Sequence, residues 1–191
     1  MRLCLILLLG GMILLGGIAS AEPKPEERAI VIVYSRTGNS LKMAEEIQRF
    51  YDCPLIQLQA PEYEGFWGQK KASDHAWDRL PAKEVTPLKV DLTPYDLIFL
   101  GSPIWWYRPA VPLWNFVHAN DFKGKKVVLF NSFNSRFRSE EMIQFFDLIA
   151  AKGGQMLGHI YVRRGRWYWQ KSSEEMMEEF VTKLKEWEAG R

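Results

Sequence analysis

Residues 29–50 constrain this chain more than any other stretch, because they read as a strand, a loop and a helix in immediate succession. Ala29-Ile30-Val31-Ile32-Val33-Tyr34 is short, apolar and rich in β-branched side chains, which suits a strand buried on both faces of a parallel sheet. From Leu41 the period changes: Leu41, Ala44, Ile47 and Phe50 share one helical face, with Lys42, Glu45, Glu46 and Arg49 between them. The connection is Ser35-Arg36-Thr37-Gly38-Asn39-Ser40. A helix N-terminus entered through such a loop offers unpaired N–H groups and a partial positive charge, so it can hold a phosphate. Ser35, Thr37 and Ser40 add hydroxyl donors, and Gly38 lets the backbone come close. A plainer reading has Asn39 or Ser40 cap the helix while the loop binds nothing. The flanking strand and helix supply the context a phosphate loop requires and favour binding. The loop lacks both the Gly-Lys-Ser/Thr ending of a Walker loop and the Gly-x-Gly-x-x-Gly of a dinucleotide fingerprint.

The first 21 residues are of another kind. A basic Met1-Arg2 start, an apolar run from Leu3 to Ile18 and the small residues Ala19-Ser20-Ala21 predict a secretory signal peptide cut after Ala21. An uncleaved leader acting as a membrane anchor is the alternative. The expectation is therefore an exported protein, periplasmic or secreted, with residues 22–28 as a short tether carrying two prolines and three glutamates. The chain beyond the leader, 191 − 21 = 170 residues, is long enough for one domain with a sizeable core. Of the 25 Lys and Arg only Arg2 precedes the cut, so the mature net charge is 24 − 23 = +1, which gives no general push toward nucleic acid or membrane. Cys53 is then the sole cysteine, expected as a small buried hydrophobe and free of any internal disulfide.

Further strands are predicted at Pro54–Leu58, Tyr95–Gly101, Lys126–Phe130 and Met156–Val162. Helices are predicted from Val111, with Pro112 in its first turn, over Ser139–Ala151, and after Ser172 or Ser173. Trp67–Leu80 is amphipathic enough for another; its His75 has no second histidine or cysteine at ligand spacing, so a surface or packed role outweighs metal ligation. Strands alternating with helices predict an α/β fold over residues 29–191, a three-layer αβα sandwich around a five-stranded parallel sheet; one order such a sheet can take is 2-1-3-4-5. In that order the loops after the first, third and fourth strands emerge together at the carboxyl ends of the sheet.

The second of those loops, Ser102-Pro103-Ile104-Trp105-Trp106-Tyr107-Arg108-Pro109, holds two adjacent tryptophans and a tyrosine. Either tryptophan alone could be a core anchor. Beside a phosphate loop, the pair suits a planar aromatic ligand that needs a stacking wall. The segments Tyr34–Ser40 and Tyr95–Trp106 together resemble the two flavin loops of the flavodoxin-like family. The resemblance implies FMN, with its phosphate on Ser35, Arg36, Thr37, Gly38, Asn39 and Ser40. Its ring would lie against Trp105, Trp106 and Tyr107, with Pro103, Ile104, Asn131, Ser132 and Phe133 completing the site. Two departures stand out. Tyr107 occupies a place where relatives commonly have glycine, and the third loop, Asn131–Arg138, contains no glycine although many relatives are glycine-rich there.

The tract His159 to Gln170 interleaves basic and aromatic residues, Arg163, Arg164, Arg166, Trp167, Tyr168 and Trp169. Its arginines are expected to pair with local carboxylates and its aromatics to pack the last helix, with a docking surface for an anionic partner as the alternative. The functional expectation is an exported FMN oxidoreductase passing electrons to a small quinone-like acceptor or a redox partner. An electron carrier without a substrate of its own and a flavin-free binding module are the alternatives. No nucleic acid is expected as a partner, and a membrane only through an uncleaved leader.

Overall fold

The computed structural model describes residues 27–191, and of Trp167 the backbone alone. The expected signal peptide and most of the expected tether lie outside the described residues. Contacts of the fold reach back to Glu27, whose carboxylate pairs with Lys126 at 2.9 Å and with Arg191, and to Arg28, whose carbonyl accepts the N–H of Asp96 at 2.8 Å. These contacts tie the two residues before the first strand, β1 (Ala29–Tyr34), to the fold.

Every residue of β1 is buried, and the two sets of alternating side chains enter two different cores. Ile30, Ile32 and Tyr34 join one with α2 (Gly65–Asp78), α3 (Val111–Ala119) and α4 (Ser139–Ala151). Ala29, Val31 and Val33 join the other with α1 (Asn39–Tyr51) and α5 (Ser173–Ala189). The remaining strands are β2 (Leu55–Leu58), β3 (Leu97–Trp105), β4 (Arg108–Pro109), β5 (Lys126–Phe133) and β6 (Gln155–Arg163). β3 and β5 repeat the division seen in β1, with Ile98, Leu100, Val127 and Leu129 on the first side and Leu97, Phe99, Val128 and Phe130 on the second. The parallel path β2-β1-β3-β5-β6 is the expected 2-1-3-4-5 order once the short β4 is set aside. Ser172 caps α5 through a reciprocal capping box with Glu175. Cys53 lies in the α1/α5 core, and burial pushes its thiol up to about 11, in keeping with a small buried hydrophobe.

Two expected loops are corrected. Ser102–Pro109 is a hairpin: β3 continues to Trp105, turns at Trp106-Tyr107 and returns as β4, with Ile104 opposite Pro109 and Trp105 opposite Arg108. The turn residues have φ of 45° and 73°, the sign pattern of a type I′ turn, which normally calls for Asn-Gly. The start of the third loop, Asn131 to Phe133, belongs to β5, because β6 offers pairing partners as far as Arg163.

Gly101 sits mid-sheet opposite Phe130, whose ring covers it; a Cβ there would come within 2.0 Å of the ring. Phe130 is fully buried and cannot swing aside cheaply. Gly101→Ala is therefore expected to cost about 1–3 kcal/mol of stability through overpacking; an unchanged urea midpoint would show that the ring yields.

His159 on β6 bonds Asn131 Oδ1 through Nε2 at 2.8 Å and touches the rings of Phe137, Phe146 and Tyr161. Since Asn131 Nδ2 donates to the carbonyl of Ser102 at 2.8 Å, its Oδ1 is the acceptor, which makes His159 the Nε2–H tautomer. Burial lowers the imidazole pKa from 6.5 to about 4, so the folded protein resists a proton that the unfolded chain takes up. This contribution is whole above pH 6.5 and is lost as pH falls from there toward 4. Between pH 7 and pH 5 the protein should lose about 2 kcal/mol more stability than His159→Gln; parallel losses in urea titrations at the two pH values would refute the assignment.

Candidate functional site

The turn from β1 into α1 is shaped by Gly38, which stands as the helix N-cap at φ 85° and makes no side-chain cap bond. Asn39 and Ser40 are the first two residues of α1, so neither is the cap that the plainer reading made of them. The first backbone bond of the helix runs from Lys42 N–H to Gly38 O at 3.0 Å. The N–H groups of Thr37, Gly38, Asn39 and Ser40 therefore have no backbone acceptor among the described residues. Of these residues Thr37, Asn39 and Ser40 line a cavity of about 420 Å³ at the carboxyl ends of β1, β3 and β5, a volume within the range of small-molecule and cofactor sites.

The hydroxyls and arginines of this cavity have different duties. Ser40 Oγ lies 2.9 Å from Ser132 Oγ, with both residues almost fully buried. Only one of the two protons is spent on that bond, so the pair keeps one O–H donor for a further acceptor. Thr37 is exposed at the loop's tip. Arg36 turns back: its Nε donates to the carbonyl of Tyr63 at 3.0 Å and its Nη2 to that of Gly65 at 2.9 Å. It thereby fastens the 3₁₀ turn Pro61–Tyr63 and the start of α2 to the loop.

Pro103, Ile104 and Trp105 form the wall contributed by β3. Trp105 is held edge-on between Tyr34 and Tyr63, with ring centroids 5.4 and 5.3 Å away. Ser132 and Phe133 line the cavity from the end of β5. Ser35, Arg36, Thr37, Asn39 and Ser40 line it from the loop and α1. The remaining expected site residues are placed elsewhere. Gly38 shapes the loop without lining the cavity, and Asn131 is fully buried, bonding Ser102 and His159 beneath it. Trp106 is 46% exposed and packs on Trp77 at 4.9 Å. Tyr107 lies against Arg138 at 4.3 Å and Arg136 at 5.4 Å, outside the lining.

The structure adds Gln69, Ala72 and Ser73 from α2, together with Asn134, Arg164 and Gln170. Arg164, expected to pair with carboxylates, instead donates from Nη1 to Asn39 Oδ1 at the head of α1. Among the described residues neither it nor Arg163 nor Arg166 forms an ion pair. Tyr168 and Trp169 are exposed rather than packed on α5. The only signal for Arg164 in the sequence is its place just past a predicted strand end, the edge where ligands gather.

The lining contains two arginines and no Asp, Glu, His, Lys or Cys. Such a surface favours an anion and has no group that titrates near neutrality, so it can bind and orient but cannot act as a proton donor or acceptor. A neighbouring cavity of about 360 Å³ shares Ser35, Arg36 and Thr37 but includes Glu64, which suits an anion less well.

Comparisons with known proteins agree with this architecture. Solved structures of bacterial flavoproteins share the fold over most of their own length. The flavoprotein of Lactobacillus acidophilus, solved in complex with FMN, is 21% identical with a TM-score of 0.59, covering 81% of this chain and 99% of its own. Candidate flavoproteins of Bacteroides uniformis (22% identical, TM-score 0.60, covering 80% of this chain and 96% of that one) and Bacteroides eggerthii (17%, 0.58, 83% and 98%) have the same fold. No curated protein matches the sequence. The family model described as Flavodoxin matches residues 28–172, which is most of the chain and includes every element that lines the cavity. The chain belongs to the flavodoxin family.

Proposed function

We propose that this flavodoxin binds FMN non-covalently in the 420 Å³ cavity and works as an exported oxidoreductase, passing electrons to a small quinone-like or protein acceptor. The observation that carries the proposal is the head of α1: three lining residues, Thr37, Asn39 and Ser40, whose N–H groups lack backbone acceptors, and a spare Ser40/Ser132 proton, in a lining free of acids. Those groups fit a phosphate. Pro103, Ile104 and Trp105 offer an apolar, partly aromatic wall for the ring. The two departures from the family pattern leave room for it. Tyr107 retains a left-handed φ of 73° and turns its ring toward Arg136 and Arg138, away from the lining. The glycine-free third segment spends its first residues in β5, where Asn131 lies beneath the cavity rather than in it. Bound FMN would supply the electron chemistry; the residues here hold it, exclude water from one ring face and set its surroundings. The relative in complex with FMN supports the same reading.

An electron carrier with no substrate of its own is favoured by one feature, the exposed Phe66 and Trp67 at the start of α2, near the cavity wall formed by Gln69, Ala72 and Ser73. Exposed aromatics of this kind suit a protein partner. Oxidation of a nicotinamide with a quinone acceptor would mark an enzyme, whereas reduction only through a protein partner would mark a carrier.

Titrating the purified protein with FMN should give the bound-flavin absorbance spectrum. Thr37→Ala combined with Ser40→Ala should weaken binding by about 1–3 kcal/mol. No binding at saturating FMN, or unchanged affinity in the double variant, overturns the assignment. Because Trp105 rather than Trp106 lines the cavity, Trp105→Ala should brighten bound flavin and Trp106→Ala should leave it dim; the reverse order would move the ring to the hairpin tip.

A further inference from the structure

We propose that Arg164 is the residue by which this protein selects a phosphorylated flavin over the same flavin without its phosphate, an inference that rests on the FMN reading. Of the two arginines lining the cavity, Arg36 is committed: two of its N–H groups donate to the carbonyls of Tyr63 and Gly65, which fixes its guanidinium to the α2 side of the loop. Arg164 is not committed in that way. Its Nη1 donates to Asn39 Oδ1, whereas its Nε is buried with no hydrogen-bond partner, and it has no carboxylate partner among the described residues.

A partly buried guanidinium whose Nε is shut off from water without a partner or a counter-charge is costly. It is tolerable where an anion completes it, and the nearest unspent donors are of the kind that holds one. Asn39 is a member of the loop whose N–H groups lack backbone acceptors, and Ser40 beside it shares the spare hydroxyl proton. Arg164 therefore adds to this set of neutral donors a full positive charge that is not, like that of Arg36, tied to main-chain carbonyls. A guanidinium at such a site forms charge-assisted, geometrically matched bonds to phosphate oxygens.

The backbone holds Arg164 at this spot. Its N–H donates to the carbonyl of Phe133 at 2.8 Å, tying it to the end of β5, and its carbonyl accepts the N–H of Lys171 at 2.7 Å. The second of these bonds closes residues 164–171 into a loop. Gly165 makes the closure possible: at φ 96° any Cβ would lie 2.4 Å from the carbonyl oxygen of Trp169. Arg164 is thus positioned by main-chain bonds before any ligand arrives, and little further ordering is needed to bind one.

FMN and riboflavin differ only in the phosphate, so their affinities measured by quenching of flavin fluorescence isolate it. The protein should bind FMN more tightly than riboflavin. Arg164→Gln should weaken FMN about tenfold or more and leave riboflavin within about twofold. Arg164→Lys, which keeps the charge without the fork, should retain part of the preference. Added salt should weaken FMN binding to the wild-type protein more than to Arg164→Gln. Equal losses for both flavins in Arg164→Gln would reduce the residue to a structural support acting through Asn39, and unchanged affinities for both would show that its charge is not felt; either overturns the inference. Wild-type protein that binds the two flavins equally would overturn it while leaving the flavin site standing. Protein that binds neither flavin would overturn the FMN reading itself, and this inference with it.

Discussion

Burial of β1 on both faces is the constraint on which the rest of the structure depends. A strand with no solvent-facing side must have a helical layer above and below it, and parallel neighbours on both edges to satisfy its peptides. β2 and β3 supply the edges, while α1 with α5 and α2 with α3 and α4 supply the faces. Parallel pairing then forces every strand to end on the same side, so the turns after β1, β3 and β5 must meet. The cavity is a consequence of this arrangement. Where three turns diverge from one sheet edge, their backbones cannot close over one another, and the head of α1 is left facing the gap.

Features governed by burial were legible in the sequence for this reason. Apolar runs with β-branched residues identify strands whichever layer covers them, and the helical period after Leu41 or Ser139 survives any tertiary arrangement. The boundaries of α4 and the capping serine of α5 follow from such local signals, whereas the strand order rests on the family resemblance. The β3–β4 hairpin was illegible because its turn breaks the usual chemistry. Trp106 and Tyr107 take positive φ, at a cost of roughly 1–2 kcal/mol each, where Asn-Gly would announce a hairpin. The offset comes from contacts distant in sequence: Trp106 on Trp77, Tyr107 between two arginines, and the N–H of Arg138 on the carbonyl of Tyr107 at 3.1 Å. No reading of the turn by itself contains those terms.

The same distinction explains the candidate site. Its loop was readable because hydroxyls, glycine and helix start are contiguous. The division of the aromatic segment was not, because strand alternation decides it only once the pairing with β4 extends β3 to Trp105. That extension carries Trp105 inward against Tyr34 and Tyr63 and leaves Trp106 at the hairpin tip. Asn131 shows a related effect. Expected at a loop, it lies within β5 and uses its amide to join β3 to β6 through Ser102 and His159, bracing the floor beneath the cavity. A buried amide with both its oxygen and its nitrogen engaged holds strands in one register more firmly than apolar contacts, which tolerate sliding.

Charge sets the cavity apart from the rest of the chain. The whole sequence is nearly balanced, with 25 basic and 23 acidic residues. Elsewhere the described basic residues commonly meet carboxylates, as Lys126 and Arg191 do at Glu27 and Lys171 and Lys183 do at Glu179. Around the cavity that pairing stops: Arg36 bonds main-chain carbonyls and Arg164 a neutral amide. A carboxylate placed beside either arginine would satisfy it internally and repel an incoming anion. Arg36 is held by its main-chain carbonyls, and leaving Arg164 without a carboxylate costs stability in the free protein and reserves its charge for a ligand. With no titratable acid or base in the lining, that reserved charge and the head of α1 are what the protein itself brings to the site.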